Sequence, residues 1–337
     1  MNRKDFLFSA AMAGVSIPAL AQSANAESSL PLIPPYLKSG DTIGIFCPAG
    51  FISIEEIQPS VLEMQSWGFK ILIGNTVGKK DFSFGGTDDE RAADFQNMLD
   101  NPAVNAIMCA RGGYGFVRII DRINFKKFLA KPKWIIGFSD VTVLHCHLQN
   151  LGGTPSIHSK MCNSFPENRA SAEPVQAETI LSIRAALTGV KMRYPFVPNT
   201  MNRNGMAEGM LVGGNLRTIE NIAGTKSDFN TDGKILFLED TGEYLYSIDR
   251  MFYNLKRTGK LDRLKALVIG GFKIKQEDPG DEFGRTLYQI VHDITREFSY
   301  PICFDFPVGH QRNNFALKCG VRHRIEIAAD KCLMSEI

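Results

Sequence analysis

Short apolar runs and longer amphipathic segments alternate along the first half of the chain. The apolar runs at residues 42–48 and 104–110 are typical of strands buried on both faces of a parallel sheet. The pattern predicts one helix that begins after Ser53 and another that begins after Thr87, each with acidic residues in its first turn. Repeated strands and helices of this kind predict an α/β domain with helices on both sides of the sheet.

The alternation continues to about residue 162 and then stops. Residues 117–130 extend it with a helical segment, residues 134–138 are predicted to form a strand, and residues 141–152 a helix. Residues 163–204 contain prolines and mixed polar residues, with one helix predicted at 174–189. This stretch is therefore predicted to connect two domains.

Strand-like runs are frequent in the second half of the chain. They predict strands at residues 209–215, 234–240, 266–272, 302–309 and 323–328. Helical segments separate several of these runs, so the second domain is also predicted to be α/β. The predicted organisation is an N-terminal parallel-sheet α/β domain, an interdomain connection and a strand-rich, mixed α/β C-terminal domain, over residues 27–165, 166–205 and 206–337.

The first 26 residues have the three parts of a secretory signal peptide. Basic residues at positions 3 and 4 precede an apolar run over residues 6–20, and the small-residue cleavage site Ala-Asn-Ala ends at Ala26. The apolar run is too short for a comfortable membrane span. We expect a cleaved, periplasmic protein without stable membrane association.

The charge composition favours a small-molecule or peptide partner. The 337 residues include 38 basic and 36 acidic side chains, which give a net charge of +2 at pH 7. This balance produces no long-range field of one sign, so the composition does not support binding to nucleic acid or to a membrane surface.

The chain contains seven cysteines and no C-x-x-C pair. Cys47 and Cys109 lie within strand-like apolar runs, which predicts small buried hydrophobic residues rather than metal ligands. An odd number leaves at least one thiol unpaired. An oxidising compartment would permit one disulfide, and the sequence does not decide whether it forms.

A serine stands at a strand-to-helix junction, in the Gly-Phe-Ser-Asp segment at residues 137–140. A nucleophile elbow places its serine on such a tight turn, which exposes the hydroxyl at the edge of the sheet. The match to G-x-S-x-G is incomplete because Val141 replaces the second glycine. On this pattern alone, Ser139 is either a helix cap or a nucleophile.

Two adjacent glycines, Gly112 and Gly113, follow the apolar run at residues 104–110. Bare backbone amides in such a turn can approach an anion. A tight turn that needs positive φ is the alternative. The sequence pattern leaves both interpretations open.

A serine nucleophile needs a base, and the chain has six histidines. His145 and His147 are two apart on a predicted helix and point to different faces, which makes them a poor metal pair. His310 lies in a polar loop after a predicted strand and a glycine. Glu239 ends a predicted strand and is the preferred carboxylate to orient the base, whereas Glu243 lies in the following turn. No clustered ligands are found, so neither a metal nor a cofactor is expected.

Six segments in chain order cover most of the sequence from residue 40 to 322: residues 40–50, 85–115, 135–145, 211–225, 235–259 and 307–321. Together they resemble the LD-carboxypeptidase (muramoyltetrapeptide carboxypeptidase) family of serine peptidases, which also contains microcin C self-immunity peptidases. The resemblance implies a flavodoxin-like N-terminal domain, a mixed α/β C-terminal domain and an active site between them. It also implies a homodimer.

The resemblance further implies roles for individual residues. The Ser-Glu-His triad of the family falls on Ser139, Glu239 and His310, and the backbone amides of Gly113 and Asp140 would form the oxyanion hole. The Asp140 side chain is expected to be stabilised by the N-terminus of the helix that follows it.

The implied reaction cleaves the L,D-peptide bond that releases the terminal D-alanine from murein tetrapeptides. An exopeptidase of this kind must bind a free carboxylate, and Arg111 is the candidate, with a structural ion pair as the alternative role. Two other functions stay open. One is a microcin C-type peptide-nucleotide amidase, and the other is a periplasmic peptide-binding protein that does not turn its ligand over.

Overall fold

The computed structural model describes residues 32–168 and 171–337. The predicted signal peptide, residues 1–26, lies outside these ranges. None of the helices in the described ranges is long and apolar enough to cross a membrane. The described chain forms two sheets with helices packed against them.

The first sheet has six strands. In spatial order they are β11 (Leu317–Cys319), β5 (Ser156–His158), β4 (Trp134–Gly137), β3 (Ala106–Cys109), β1 (Thr42–Phe46) and β2 (Lys70–Ile73). The five N-terminal strands pair in parallel, and their order is that of flavodoxin-like sheets. The expected flavodoxin-like parallel sheet is therefore confirmed, and β11 adds an antiparallel strand from the C-terminal half.

The second sheet has seven strands and is mixed. In spatial order they are β10 (Ile302–Cys303), β9 (Ala266–Ile274), β8 (Ile235–Glu243), β7 (Gly205–Asn215), β12 (Arg322–Ile327), β13 (Cys332–Glu336) and β6 (Arg193–Phe196). The strands from β10 to β7 pair in parallel, and those from β7 to β6 pair in antiparallel fashion. This arrangement confirms the expected strand-rich, mixed α/β architecture.

Eight α-helices lie in the described ranges. They are α1 (Ile54–Ser66), α2 (Asp88–Asp100), α3 (Lys126–Ala130), α4 (Thr142–Leu151), α5 (Pro174–Leu187), α6 (Leu216–Asn221), α7 (Leu245–Arg257) and α8 (Leu287–Ile294). The predicted starts of α1 and α2 are confirmed. Ser53 forms a capping box with Glu56, and Thr87 forms one with Glu90.

The centre of the first sheet is buried, as its sequence pattern predicts. Strands β3 and β4 are buried along their whole length, whereas the edge strand β2 is largely exposed. All seven cysteines are free thiols and are buried, which confirms the prediction of small hydrophobic roles. Burial raises the pKa of the Cys47 thiol to about 12.

Two predictions of secondary structure are wrong in extent. Residues 116–122 form two 3-10 turns, and only Lys126–Ala130 is α-helical, because Asn124 leaves the helix to pair its backbone amide with Gln96 Oε1. The predicted strand at residues 302–309 is limited to Ile302–Cys303. Asp305 adopts a φ of 57°, which turns the chain out of the extended conformation.

Candidate active site

Ser139 lies in a sharp turn at the carboxyl end of β4. Its φ is 62°, in the left-handed region that a residue with a Cβ rarely adopts. The chain then passes through a 3-10 turn, Ser139–Val141, into α4. Such strain is typical of functional turns and costs about 1–3 kcal/mol. Neither the 3-10 turn nor α4 has a side-chain cap, so Ser139 is not a capping residue here.

Gly137 makes room for the valine that departs from the elbow pattern. A Cβ at position 137 would lie 2.9 Å from Val141 Cγ2 and 3.2 Å from Cys109 Cβ. These distances are too short for any side chain at position 137. The glycine two residues before Ser139 therefore leaves room for Val141.

His310 joins Ser139 to Glu239. His310 Nε2 lies 3.2 Å from Ser139 Oγ, and His310 Nδ1 lies 2.6 Å from Glu239 Oε2. A hydrogen on Nδ1, donated to Glu239, leaves Nε2 free to accept a proton from the serine hydroxyl. The three side chains come from different parts of the chain and form one continuous line of hydrogen bonds.

Glu239 is fully buried in the middle of β8, which continues to Glu243. The expectations that Glu239 ends its strand and that Glu243 lies in the following turn are therefore wrong. The pairing of β8 with β9 shifts register between Leu238 and Asp240, and such bulges redirect side chains at the ends of strands. Glu239 Oε2 also accepts a hydrogen bond from the His310 backbone amide at 3.2 Å. Among the described residues, Glu239 Oε1 is buried without a hydrogen-bond partner.

Glu243, the competing carboxylate, has other partners. Its Oε2 accepts a hydrogen bond from Ser247 Oγ at 2.7 Å, and its Oε1 lies 3.3 Å from Arg217 Nε. The structure therefore places Glu239, and not Glu243, against His310. Both carboxylates lie within β8, so the predicted strand end did not distinguish them.

The loop that carries His310 is held by two residues that sequence reasoning missed. Asn314 is fully buried, and its Oδ1 accepts a hydrogen bond from the Gly309 amide at 2.7 Å. Lys160 Nζ donates to the Gln311 carbonyl at 2.7 Å. Lys160 follows the carboxyl end of β5, and this position was the one available signal, since functional side chains collect at such strand ends.

The Gly-Gly turn lies beside Ser139. A Cβ at Gly112 would be only 3.4 Å from Ser139 Cβ, and Gly113 has a φ of 107°. The turn therefore needs positive φ at Gly113 and also brings bare backbone close to the serine. The sequence left open a tight turn that needs positive φ and a backbone that approaches an anion. The geometry of this turn is compatible with both.

The Asp140 side chain connects the serine turn to the glycine turn. Its Oδ2 accepts a hydrogen bond from the Phe116 amide at 2.8 Å, rather than from its own helix as expected. Burial raises the pKa of this carboxyl to about 6, although the amides of Phe116 and Gly115 and the charge of Arg91 oppose the shift. Asp140 thus fixes the two turns relative to each other.

Arg91 supports the loop that contains Gly115 through hydrogen bonds to backbone carbonyls. Its guanidinium is fully buried and donates hydrogen bonds to the carbonyls of Pro48 and Gly115, the latter at 2.9 Å. The charge is compensated by an ion pair with Asp88. This contact ties the loops that follow β1 and β3 into one rigid edge.

Arg111 lies at the surface and lines a cavity of about 370 Å³. The cavity is also lined by Gly113, Tyr114 and Lys80. Arg111 Nη1 donates to the Phe51 carbonyl at 3.0 Å, and within the described ranges Arg111 takes part in no ion pair. The structural ion pair that was its alternative role is therefore not found among the described residues.

Three of the other histidines form hydrogen bonds away from Ser139. His145 lies between Ser156 Oγ and the Gly137 carbonyl, and His147 contacts Ser227 Oγ at 3.0 Å. His292 is half-buried and contacts the Met201 carbonyl at 2.7 Å. Within the described part of the chain, no group of three or more His, Cys, Asp or Glu residues could hold a metal ion.

Comparison with known proteins identifies the same family in both halves of the chain. The sequence profile of the LD-carboxypeptidase N-terminal domain matches residues 43–159, and that of the LD-carboxypeptidase C-terminal domain matches residues 208–325. The probable murein peptide carboxypeptidase of Bacillus subtilis is 30% identical over 311 residues, which cover 89% of this chain and 93% of that protein.

Two further relatives extend the comparison. The crystal structure of muramoyltetrapeptide carboxypeptidase from Oxalobacter formigenes superposes with a TM-score of 0.78 at 27% identity, over 88% of this chain and 98% of that one. The microcin C7 self-immunity protein MccF of Escherichia coli is 26% identical over 329 residues, which cover 88% of this chain and 94% of that protein.

Proposed function

The chain belongs to the LD-carboxypeptidase family, and we propose that it is a serine carboxypeptidase that releases the terminal D-alanine from murein tetrapeptides. One observation carries the proposal. Ser139, His310 and Glu239 form a continuous line of hydrogen bonds at 3.2 and 2.6 Å. This is the geometry that an activated serine nucleophile requires.

In the proposed mechanism, Ser139 Oγ attacks the carbonyl carbon of the scissile bond while its proton passes to His310 Nε2. The protonated His310 then gives this proton to the leaving amine, and the C–N bond breaks. Water attacks the acyl-enzyme with His310 again as the base, which releases the shortened peptide and restores Ser139. Glu239 holds the Nδ1–H tautomer and stabilises the imidazolium.

The oxyanion of the tetrahedral intermediate would be bound by the backbone amides of Gly113 and Asp140. The close approach of the glycine turn to Ser139 supports this assignment, as does the side-chain contact of Asp140 with the Phe116 amide. The loss of one such donor costs about 3–4 kcal/mol in comparable sites.

Arg111 is proposed to bind the terminal carboxylate of the substrate. Its side chain lines the same cavity as Gly113, and no acidic partner among the described residues neutralises it. A guanidinium can bind a carboxylate through two parallel hydrogen bonds. This would restrict cleavage to the last peptide bond.

The proposal is tested with three peptides: a murein tetrapeptide, the corresponding pentapeptide and an all-L analogue of the tetrapeptide. Mass spectrometry should detect D-alanine released from the tetrapeptide alone, and the Ser139→Ala protein should release none. Equal cleavage of the all-L peptide, or cleavage of internal bonds, would show a general peptidase instead.

A microcin C-type peptide-nucleotide is the second substrate candidate. The 26% identity to the Escherichia coli self-immunity protein supports its inclusion. The same assay with a peptidyl nucleotide separates the two activities. Faster release of the nucleotide portion than of D-alanine would favour the second candidate. Binding of the tetrapeptide without any cleavage would indicate a peptide-binding protein.

We also propose that the protein acts in the periplasm as a homodimer. The charged, apolar and small-residue order of residues 1–26 supports export. The dimer is proposed from the family resemblance, and light scattering of the purified protein tests it. A monomer at micromolar concentration would exclude this oligomeric state.

A further inference from the structure

A cavity of about 530 Å³ is lined by His310 and is separate from the cavity that contains Arg111. Its walls also include Phe138, Lys160 and Lys273. Two lysines thus face one cavity next to the proposed catalytic base. The proposed mechanism gives neither of them a role.

Lys160 is held close to the reacting groups. Its Nζ donates to the Gln311 carbonyl at 2.7 Å and lies 5.5 Å from the centre of the Phe138 ring. Gln311 follows His310 in the chain, and Phe138 precedes Ser139. The ammonium is therefore anchored within one residue of both the proposed base and the proposed nucleophile.

The charge of this cavity is not balanced by the acidic residues around it. The charge of Glu239 acts on Lys160 and raises its pKa, but the Glu239 carboxylate is bound to His310 at 2.6 Å. Glu173 also lines the cavity and is paired with Arg312. Among the described residues, neither Lys160 nor Lys273 forms an ion pair.

The electrostatic environment of Lys160 favours the binding of an anion. Burial, followed by repulsion from Lys273, lowers the pKa of Lys160 to about 8, and Glu239 opposes the shift only in part. A carboxylate placed between the two ammonium groups would relieve this repulsion. It could also bond the Lys160 hydrogens that the Gln311 carbonyl leaves free.

We propose that Lys160 and Lys273 form a subsite for a second carboxylate of the substrate, distinct from the terminal carboxylate assigned to Arg111. This inference rests on the proposed function. In a tetrapeptide whose third residue is a diamino acid with a side-chain carboxylate, that carboxylate lies one side chain away from the scissile carbonyl. The subsite would thus select stems in which the third residue is acidic at its far end.

The same chemistry has a second source, the carboxylate of the terminal residue. Two tetrapeptides distinguish the sources, one with diaminopimelate at the third position and one with lysine, which lacks the side-chain carboxylate. Each is also prepared with a C-terminal amide. The peptides differ by one carboxylate at a time, so any loss of affinity can be assigned.

The test variant is Lys273→Met, because Lys273 is exposed and makes no contact that supports the His310 loop. The matched control is Lys275→Met. Lys275 leaves the same strand end, but its ammonium lies 4.3 Å from the centre of the Tyr244 ring, and the residue does not line the cavity. Both variants remove one positive charge.

We expect Lys273→Met to lower kcat/KM for the diaminopimelate peptide about tenfold and to change the lysine peptide less than about twofold. Lys275→Met should leave both values unchanged. If calorimetry on the Ser139→Ala proteins finds an equal loss of affinity for both free-acid peptides but none for their amides, the lysines bind the terminal carboxylate and the proposal is overturned. No loss with any peptide, or an equal loss with all four, would overturn the subsite.

Binding to the Ser139→Ala protein separates this inference from the proposed function. Calorimetry on Ser139→Ala and on Ser139→Ala/Lys273→Met measures peptide affinity when no bond is cleaved. A loss of affinity that is limited to peptides with the second carboxylate supports the subsite even if the wild-type protein releases no D-alanine. Equal affinities in the two proteins would exclude it, even if D-alanine is released.

Discussion

Gly309 and Glu239 are so close that no side chain fits at position 309. A Cβ there would lie 2.5 Å from Glu239 Cβ and 2.8 Å from Glu239 Oε2, and Gly309 also has a φ of 104°. The glycine allows the backbone before His310 to approach the buried carboxylate. The contact between Glu239 and His310 therefore depends on the absence of a side chain at position 309, as well as on the two polar groups.

Gly309→Ala should reduce kcat by at least about 100-fold, because displacement of reacting groups by about 1 Å has this effect. The free energy of unfolding should fall by about 1–3 kcal/mol from overpacking. Gly280→Ala is the control, since Gly280 has a similar φ of 87° but a Cβ there would have no neighbour within 4 Å. It should keep full activity. Equal kcat for the two variants would contradict the argument.

Ser139→Ala and Ser139→Gly should both be inactive but should differ in stability. An L-residue at a φ of 62° is strained, and glycine at this position removes about 1–2 kcal/mol of that strain. Glycine also increases the entropy of the unfolded chain, which offsets part of the gain in folding stability. We expect Ser139→Gly to be more stable than Ser139→Ala by about 1 kcal/mol in urea unfolding. Greater stability of the alanine variant would argue against a strained serine turn.

Glu239→Gln should lower kcat by about 10⁴-fold with little change in KM, as expected when a base loses the carboxylate that selects its tautomer. The matched control is Glu243→Gln, on the same strand, whose carboxylate contacts Ser247 and Arg217 instead. Its kcat should stay within about twofold of wild type. If the two variants lose activity equally, Glu239 does not orient the base.

Asp140 should make the protein less stable as pH rises from about 4 to 7. The pKa of its carboxyl is raised by burial from 3.8 to about 6 in the folded protein. The folded state therefore binds the proton more tightly, and its stabilising contribution is complete below pH 3.8 and is lost as pH rises through 6. The effect is on the order of 3 kcal/mol.

Asp140→Asn isolates this contribution, because the buried Asp240 also has a pKa raised to about 6 and titrates in the same window. The asparagine oxygen can still accept from the Phe116 amide. Urea unfolding at several pH values should show wild-type stability falling relative to Asp140→Asn between about pH 4 and 7. Parallel pH profiles for the two proteins would contradict the prediction.

The mature protein should begin at Glu27 and be released with the periplasmic fraction without detergent. The expected cleavage follows from the small residues that end at Ala26. N-terminal sequencing of protein from fractionated cells checks both statements. An intact Met1 on protein from the cytosolic fraction would exclude export.

The elements that depend on local interactions were predicted from sequence. Strands β3 and β4 are continuous apolar runs, and the capping boxes at Ser53 and Thr87 involve residues three apart. The sequence also placed Ser139 at a strand-to-helix turn. It overestimated the strand at residues 302–309, because the positive φ of Asp305 is not encoded by the hydrophobic pattern.

The sequence by itself determined the strand and helix pattern, the family resemblance and the candidates Ser139, Glu239 and His310. Only the tertiary structure decided which carboxylate meets His310, which glycine makes room for that contact, and that Lys160 lies beside it. Local patterns specify elements because their interactions span a few residues. The contacts of the site join groups that are 71 to 171 residues apart, so they are set by how the two sheets pack.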